Sequence, residues 1–156
     1  MADTRWLDEG QQRAWRAYLG MQGRLTAELN RQLQSTSNLS LADYDVLVQL
    51  TDTPDGRLRP FELQRALGWE QSRLSHHLSR MQRRDLVGRE ECGEDGRGAY
   101  VVLTDAGRQA IADAAPGHVE AVRRLFFDAL DPDEVETLYR LASAVLDRLD
   151  AAAARR

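Results

Sequence analysis

The stretch that decides the fold is QSRLSHHLSRMQRRDLVGR, residues 71–89. Its apolar residues Leu74, Leu78 and Met81 are three or four positions apart, which predicts a helix over about 71–84 with one buried face. The stretch carries five arginines and one acidic residue, a charge of +4 in a chain whose net charge is −4. Because nucleic-acid binding depends on a local basic patch and not on whole-chain charge, this asymmetry indicates a polyanionic partner.

The face of this helix opposite the apolar stripe is polar and contains no acidic residue. Arginine can bond guanine in the major groove of DNA, and serine and histidine can bond base edges or phosphates. A solvated helix face without a partner is the alternative interpretation. His77 lies near the apolar side, where we expect a hydrogen-bonded core histidine and not a metal ligand. The residues of this segment that we expect to bind DNA are Ser72, Arg73, Ser75, His76, Ser79, Arg80, Arg83 and Arg84.

The flanking segments complete the element order of a winged helix-turn-helix. Pro60 suits the first turn of a short helix, and Gly68 suits its left-handed end, before the helix at residue 71. We therefore expect a mainly α fold with a small β-hairpin wing. The predicted elements are helices at about 8–34, 41–52, 60–67 and 71–84, strands at about 86–91 and 99–103, and helices from about 104 and from Asp131.

A glycine-rich tip joins the two predicted strands and forms the wing, at about 92–98. Arg97 lies between glycines on this tip, where an arginine is suited to enter the minor groove, and Asp95 could hold its guanidinium in place. We therefore add Asp95 and Arg97 to the expected DNA-binding residues. The hairpin also carries Glu90, Glu91 and Glu94, which repel phosphates, so a solvated turn with incidental charges stays open.

Three motifs in this central region resemble the MarR family. Residues 72–89 resemble that family's recognition helix and first wing strand, Asp95-Gly96-Arg97 is similar to its Asp-x-Arg wing signature, and residues 103–107 (LTDAG) resemble its Leu-Thr-x-x-Gly stretch. The spacing holds without gaps from about Arg59 to Arg108. Two positions depart from the family pattern. Asp85 replaces the usual glycine, although aspartate tolerates a left-handed conformation, and His77 replaces a branched apolar residue.

The resemblance implies a bacterial homodimer that regulates transcription at a pseudo-palindromic operator, typically a repressor that a small ligand releases from double-stranded DNA. It also implies three regions: an N-terminal dimerisation helix at 1–38, a DNA-binding lobe at 39–104, and C-terminal helices at 105–156 that complete the dimerisation region. The recognition helix would lie in the major groove and the wing at the minor groove.

Evidence for an effector site is limited to aromatic residues. Trp15, Tyr18 and Tyr44 could line a pocket for a small aromatic effector, although aromatic residues at helical spacing are more often core. A redox-sensing repressor is another alternative, through Cys92, but the neighbouring glutamates disfavour the thiolate that such a sensor needs.

The remaining patterns favour a regulator over an enzyme. The sequence has no nucleophile elbow, phosphate-binding loop or zinc-ligand spacing, so we expect no catalysis, metal or cofactor. Its apolar runs are too short to span a membrane, and it has one cysteine and no secretory signal, so we expect a cytoplasmic location. A winged helix that binds another protein through its arginines is the alternative to DNA binding.

Overall fold

The computed structural model describes residues 4–91 and 98–155. These form two compact units, with the boundary between His118 and Val119. The elements match the predicted mainly helical, winged fold. They are α1 (Glu9–Ser37), α2 (Leu41–Thr51), β1 (Arg57–Leu58), α3 (Pro60–Leu67), α4 (Gln71–Arg83), β2 (Val87–Glu91), β3 (Ala99–Leu103), α5 (Asp105–Leu125), a 3-10 turn (Phe127–Ala129) and α6 (Pro132–Ala153).

Local capping interactions set the ends of several helices. At the start of α2, Ser40 Oγ accepts a hydrogen bond from the Asp43 N–H at 3.0 Å, and Asp43 Oδ2 accepts one from the Ser40 N–H at 2.9 Å. Asp131 and Glu134 form the same reciprocal pair at the start of α6. Gly68 ends α3 with φ 65°, and this left-handed residue produces the tight turn that leads into α4.

The sheet is antiparallel with the strand order β1–β3–β2. β3 pairs with β2 from Val87 opposite Leu103, and with β1 at Arg57 opposite Val102. The sequence did not predict β1, because a strand of two residues has no periodicity of its own and depends on its partner. By pairing with β3, β1 joins the segment before α3 to the base of the wing.

The core of the first unit lies where the sheet and helices α2 to α4 meet the C-terminal half of α1 and the N-terminal half of α5. On α1, the buried residues are Leu29 and Leu33, both in its C-terminal half. The buried cluster comprises Leu33, Leu39, Tyr44, Val46, Leu47, Leu50, Leu63, Leu74, Leu78, Met81, Leu86, Val87, Val101, Leu103, Ile111 and Ala114. This core fixes α4 by its inner face.

The turn between α4 and β2 depends on two residues of the LTDAG motif. Asp85 has φ 57°, which confirms the expectation that aspartate adopts the left-handed conformation there. Thr104 Oγ1 donates to the Asp85 carbonyl at 2.6 Å and accepts from the Gly107 N–H at 2.9 Å. The first turn of α5 therefore fixes the end of α4.

In the second unit, α6 has no buried residue. Its apolar side chains Leu141, Val145, Leu146 and Leu149 are all more than half exposed. None of the helices in the described part of the chain is long and apolar enough to cross a lipid bilayer.

Candidate nucleic-acid interface

The outward face of α4 consists of the five exposed residues Ser72, Ser75, His76, Ser79 and Arg83. The buried residues Leu74, His77, Leu78 and Met81 hold the opposite side of the helix in the core. Along the outward face, Ser79 Oγ donates to the Ser75 carbonyl at 3.0 Å and Arg83 Nε donates to the Ser79 carbonyl at 3.3 Å. The Nη groups of Arg83 carry further donors, so this face can bond an acceptor-rich surface.

The other three predicted arginines lie on the flank near α2 and Trp69. Arg73 and Arg80 belong to α4, and Arg84 follows its last residue. Arg80 Nη2 lies 2.9 Å from His77 Nδ1. The Arg73 guanidinium lies over the Trp69 ring, 4.3 Å from its centroid. Burial raises the pKa of Asp45 on α2, and the charge of Arg73 opposes that shift. Arg73 and Arg80 are exposed, but each also contacts a more buried ring, that of Trp69 or His77.

Arg84, which we expected to bind DNA, does not belong to the outward face. Its Nη1 donates to Asp43 Oδ2 at 2.7 Å, and its Nη2 donates to the Asn38 carbonyl. Burial raises the pKa of the Asp43 carboxyl, but the close His77 ring together with hydrogen bonds from the Ser40 N–H and Arg84 outweighs burial and holds that pKa well below its ordinary value. The carboxylate is therefore ionised, and Arg84 joins the end of α4 to α2.

The structure places His77 in the core with a hydrogen-bond partner, as the sequence predicted. His77 Nε2 lies 3.0 Å from Asp43 Oδ1, with the oxygen off the line of the ring N–H bond. The Trp69 ring meets the imidazole edge-on at 5.3 Å. His77 thus contacts Asp43, Trp69 and Arg80 together.

Of the predicted wing residues, Asp95, Arg97 and Cys92 lie outside the described residues. The base of the wing is described, and it carries a pair of arginines that the sequence analysis missed. Arg57 and Arg59 lie over the Tyr100 ring, at 4.7 and 4.4 Å from its centroid. Arg57 is paired with Asp55 and Glu90, whereas Arg59 has no carboxylate within ion-pair distance among the described residues.

A groove of about 570 Å³ separates α4 from the base of the wing. Its polar lining includes Arg59, Gln71, Ser75, Gln82 and Arg89. The spacing of Gln71, Ser75 and Gln82 places all three on one side of the helix, a signal that could have identified the two glutamines from the sequence. Arg59 directly follows β1, and the pairing of β1 with β3 places it beside this groove.

The aromatic residues expected to line an effector pocket do not come together. Trp15 and Tyr18 stack on each other at 5.6 Å on the exposed half of α1, whereas Tyr44 is buried against His118 at 4.3 Å. Burial raises the pKa of Tyr44 and lowers that of His118. The start of α2 bonds Asn30, which is about 22 Å along α1 from Trp15 at 1.5 Å per residue. Within one chain, the two groups are therefore too far apart for one small aromatic molecule to contact both.

Comparison with known proteins gives consistent matches. The model of the MarR family matches residues 37–98. The chain is similar to AbsC, a MarR family transcriptional regulator from Streptomyces coelicolor, with 38% identity, coverage of 95% of this chain and 99% of that chain, and a TM-score of 0.88. It is equally similar to Sco3205 from the same organism, solved in complex with DNA, with 38% identity, 94% and 92% coverage and a TM-score of 0.88. The transcriptional repressor MprA of Escherichia coli is 24% identical over 135 residues, which are 86% of this chain and 76% of that protein.

Proposed function

Because the chain belongs to the MarR family of transcriptional regulators, we propose that it binds double-stranded DNA with α4 in the major groove and the wing at the minor groove. The observation that carries this proposal is the outward face of α4, where Ser72, Ser75, His76, Ser79 and Arg83 are exposed without an acidic residue among them. An α-helix fits the major groove, and these side chains suit the acceptors on base edges and phosphates. The family is one of regulators and not of enzymes.

The groove beside α4 supplies the second set of contacts. Arg59, Gln71 and Gln82 line it with donors, and Arg59 is free of any carboxylate among the described residues. We assign these three residues to the phosphate backbone between the two DNA grooves, since backbone contacts position a protein on the duplex. Arg97, with Asp95, stays assigned to the minor groove.

We further propose that the chain acts as a homodimer on a pseudo-palindromic operator. A helix of 22 residues without one buried residue, α6, leaves an apolar stripe that needs cover. Two recognition helices about 34–36 Å apart would read two half-sites one turn of DNA apart. Repression relieved by a small aromatic ligand is the accompanying proposal, supported by the similarity to a protein named as a transcriptional repressor.

The test is titration of the purified protein into a labelled duplex from the intergenic region beside its own gene, with excess unrelated DNA at physiological salt. We expect saturable binding that survives the competitor. Arg83→Ala should weaken it by about 1–3 kcal/mol if Arg83 contacts a base. Arg31→Ala is the matched control, because Arg31 is exposed on α1 and paired with Glu28, and we expect it to leave affinity unchanged.

Two results would contradict the proposal. Equal affinity for the labelled duplex and the competitor, together with no sequence selected from a randomised library, would indicate a nonspecific DNA binder. A sequence selected from the library would instead indicate a regulator whose operators lie elsewhere. An absence of binding to any duplex would favour the alternative in which the winged helix binds another protein.

A further inference from the structure

His77 is a buried polar residue on the recognition helix whose neighbours come from two other parts of the first unit. Its side chain is 9% exposed and that of Asp43, on α2, is 4% exposed. Trp69, from the turn between α3 and α4, covers the ring edge-on. Asp43 in turn is fixed by Arg84 and by the N–H of Ser40. The imidazole is therefore held on several sides by groups that are themselves fixed.

The protonation state of the ring follows from its partners. Arginine has five N–H donors and no acceptor, so the contact of 2.9 Å between Arg80 Nη2 and His77 Nδ1 requires a lone pair on Nδ1. A neutral imidazole with an unprotonated Nδ1 carries its proton on Nε2. Nε2 is the nitrogen 3.0 Å from the Asp43 carboxylate, which favours a proton at that position. His77 therefore accepts a hydrogen bond from Arg80 at Nδ1, and its Nε2–H lies in a close but poorly aligned contact with the Asp43 carboxylate.

This arrangement restrains Arg80, an exposed residue that bonds a buried side chain of the same helix. The bond to His77 uses one N–H of Arg80, and four remain for an outside acceptor. A restrained guanidinium loses less side-chain entropy when it binds, and it offers its donors in one orientation. Orientation matters for base recognition because bidentate pairing with guanine requires both donors in place.

We propose that His77 is a positioning residue that orients Arg80, so that the Asp43–His77 pair determines a base preference at one position of each operator half-site. The proposal rests on the proposed function, since it requires α4 to bind DNA. It assigns a role in specificity to a residue that makes no contact with DNA.

Two substitutions separate positioning from packing. Asparagine carries Oδ1 in the same place along the side chain as histidine carries Nδ1, so His77→Asn retains an acceptor for Arg80 and keeps the site polar. His77→Leu fills the site and removes the acceptor. Arg80→Ala removes the restrained group itself, and the double variant His77→Leu/Arg80→Ala measures whether the two residues act through one another. Thermal unfolding of each variant checks that it folds.

The experiment begins with the duplex that the wild-type protein selects from a randomised library. Affinities of the wild type and the four variants are then measured for this duplex and for duplexes with each base pair replaced in turn. We expect Arg80→Ala to reduce the preference at one base pair of each half-site by about fivefold or more. His77→Leu should reduce it at the same base pair and no other, His77→Asn should retain most of it, and the double variant should match Arg80→Ala there.

Other outcomes overturn the proposal. His77 is a packing residue alone if His77→Leu weakens binding to all duplexes by one factor, or if His77→Asn loses the base preference as fully as His77→Leu. If Arg80→Ala leaves every base preference unchanged, Arg80 does not select a base, and His77 cannot determine specificity through it. Failure of the proposed function looks different, because the wild-type protein would then select no sequence from the library.

Discussion

The carboxylate of Asp43 lies under α4 and receives donors from three directions. Arg84 Nη1 lies 2.7 Å from Oδ2, the Ser40 N–H bonds the same oxygen at 2.9 Å, and His77 Nε2 lies 3.0 Å from Oδ1. Burying a charge is costly unless it is paired and hydrogen-bonded. Here the stabilisation from the nearby donors exceeds the free-energy cost of burying the carboxylate. The Asp43 side chain thus caps α2, contacts His77 on α4 and bonds Arg84 at the end of α4.

This network predicts a pH-dependent contribution to stability. The pKa of Asp43 in the folded chain lies below the unfolded value of about 3.9, so its contribution is complete above about pH 4 and is lost as the pH falls further. We expect Asp43→Asn to lower the free energy of unfolding by about 2 kcal/mol at neutral pH. The difference from the wild type should shrink as the solution is acidified below about pH 4. Urea unfolding over a pH series measures it.

Asp52→Asn is the matched control, because Asp52 is an exposed aspartate at the end of the same helix. It should change stability little at any pH. A loss in Asp43→Asn that stays constant from neutral to acidic pH would show that packing, and not the ionised carboxylate, is responsible.

At the scale of elements, the end of α4 depends on how closely α5 approaches it. A Cβ atom on Gly107 would lie 2.0 Å from the Leu86 carbonyl oxygen and 3.0 Å from Leu103 Cδ1. Both neighbours are part of the α4–β2 turn and β3, and a backbone carbonyl cannot move without moving the turn. Gly107 is therefore required because no side chain fits beside the turn, and not because its backbone adopts a left-handed conformation.

Gly107→Ala should destabilise the chain by about 1–3 kcal/mol, since the added methyl group must displace the turn that ends the recognition helix. Helix propensity alone predicts the opposite, because alanine is favoured over glycine within a helix by about 1 kcal/mol. Gly23→Ala on α1 is the matched control. A Cβ there meets nothing within 4 Å, so we expect a small gain. Thermal unfolding compares the two, and a gain in both would refute the close-contact argument.

Features encoded locally could be predicted from the sequence. The bounds of α3 and the start of α6 follow from Pro60, Gly68 and the Asp131-Pro132 cap, whose partners lie within a few residues.

α1 was predicted to end near residue 34 but continues to Ser37. The polar run does not break it, because the hydroxyls of Ser35, Thr36 and Ser37 each donate to a backbone carbonyl three or four residues earlier.

Features that depend on distant partners could not be predicted. The outward face of α4 follows from periodicity, but the flank occupied by Arg73, Arg80 and Arg84 is determined by α2 and Trp69. Arg84 bonds Asp43, 41 residues earlier in the chain. Charge counting treats every arginine of the segment alike. The structure separates Arg84, which is bonded to Asp43 and Asn38, from Arg80 and Arg83, which keep N–H donors for a partner.

The apolar side chains of α6 form a stripe that no described part of the chain buries. Val145, Leu146 and Leu149 are each about 60% exposed on one side of this helix. Among the described residues, fifteen large apolar side chains are exposed, and five of them belong to α6. A stripe of this kind on a helix with no buried residue is typical of a surface covered in an oligomer.

A single charge placed in that stripe tests whether it forms a dimer interface. Val145→Glu places a charge within it, whereas Ala144→Glu adds the same charge one residue earlier, about 100° around the helix and on its polar side. If two chains pair through the stripe, burying an unpaired carboxylate costs about 3 kcal/mol, so Val145→Glu should weaken the dimer by roughly a hundredfold while Ala144→Glu leaves it intact. Sedimentation equilibrium measures this directly. Operator affinity should fall with the dimer, because a single recognition helix contacts one half-site. A wild-type protein that is monomeric at all concentrations, or two variants that behave alike, would show that the stripe of α6 is not the dimer interface.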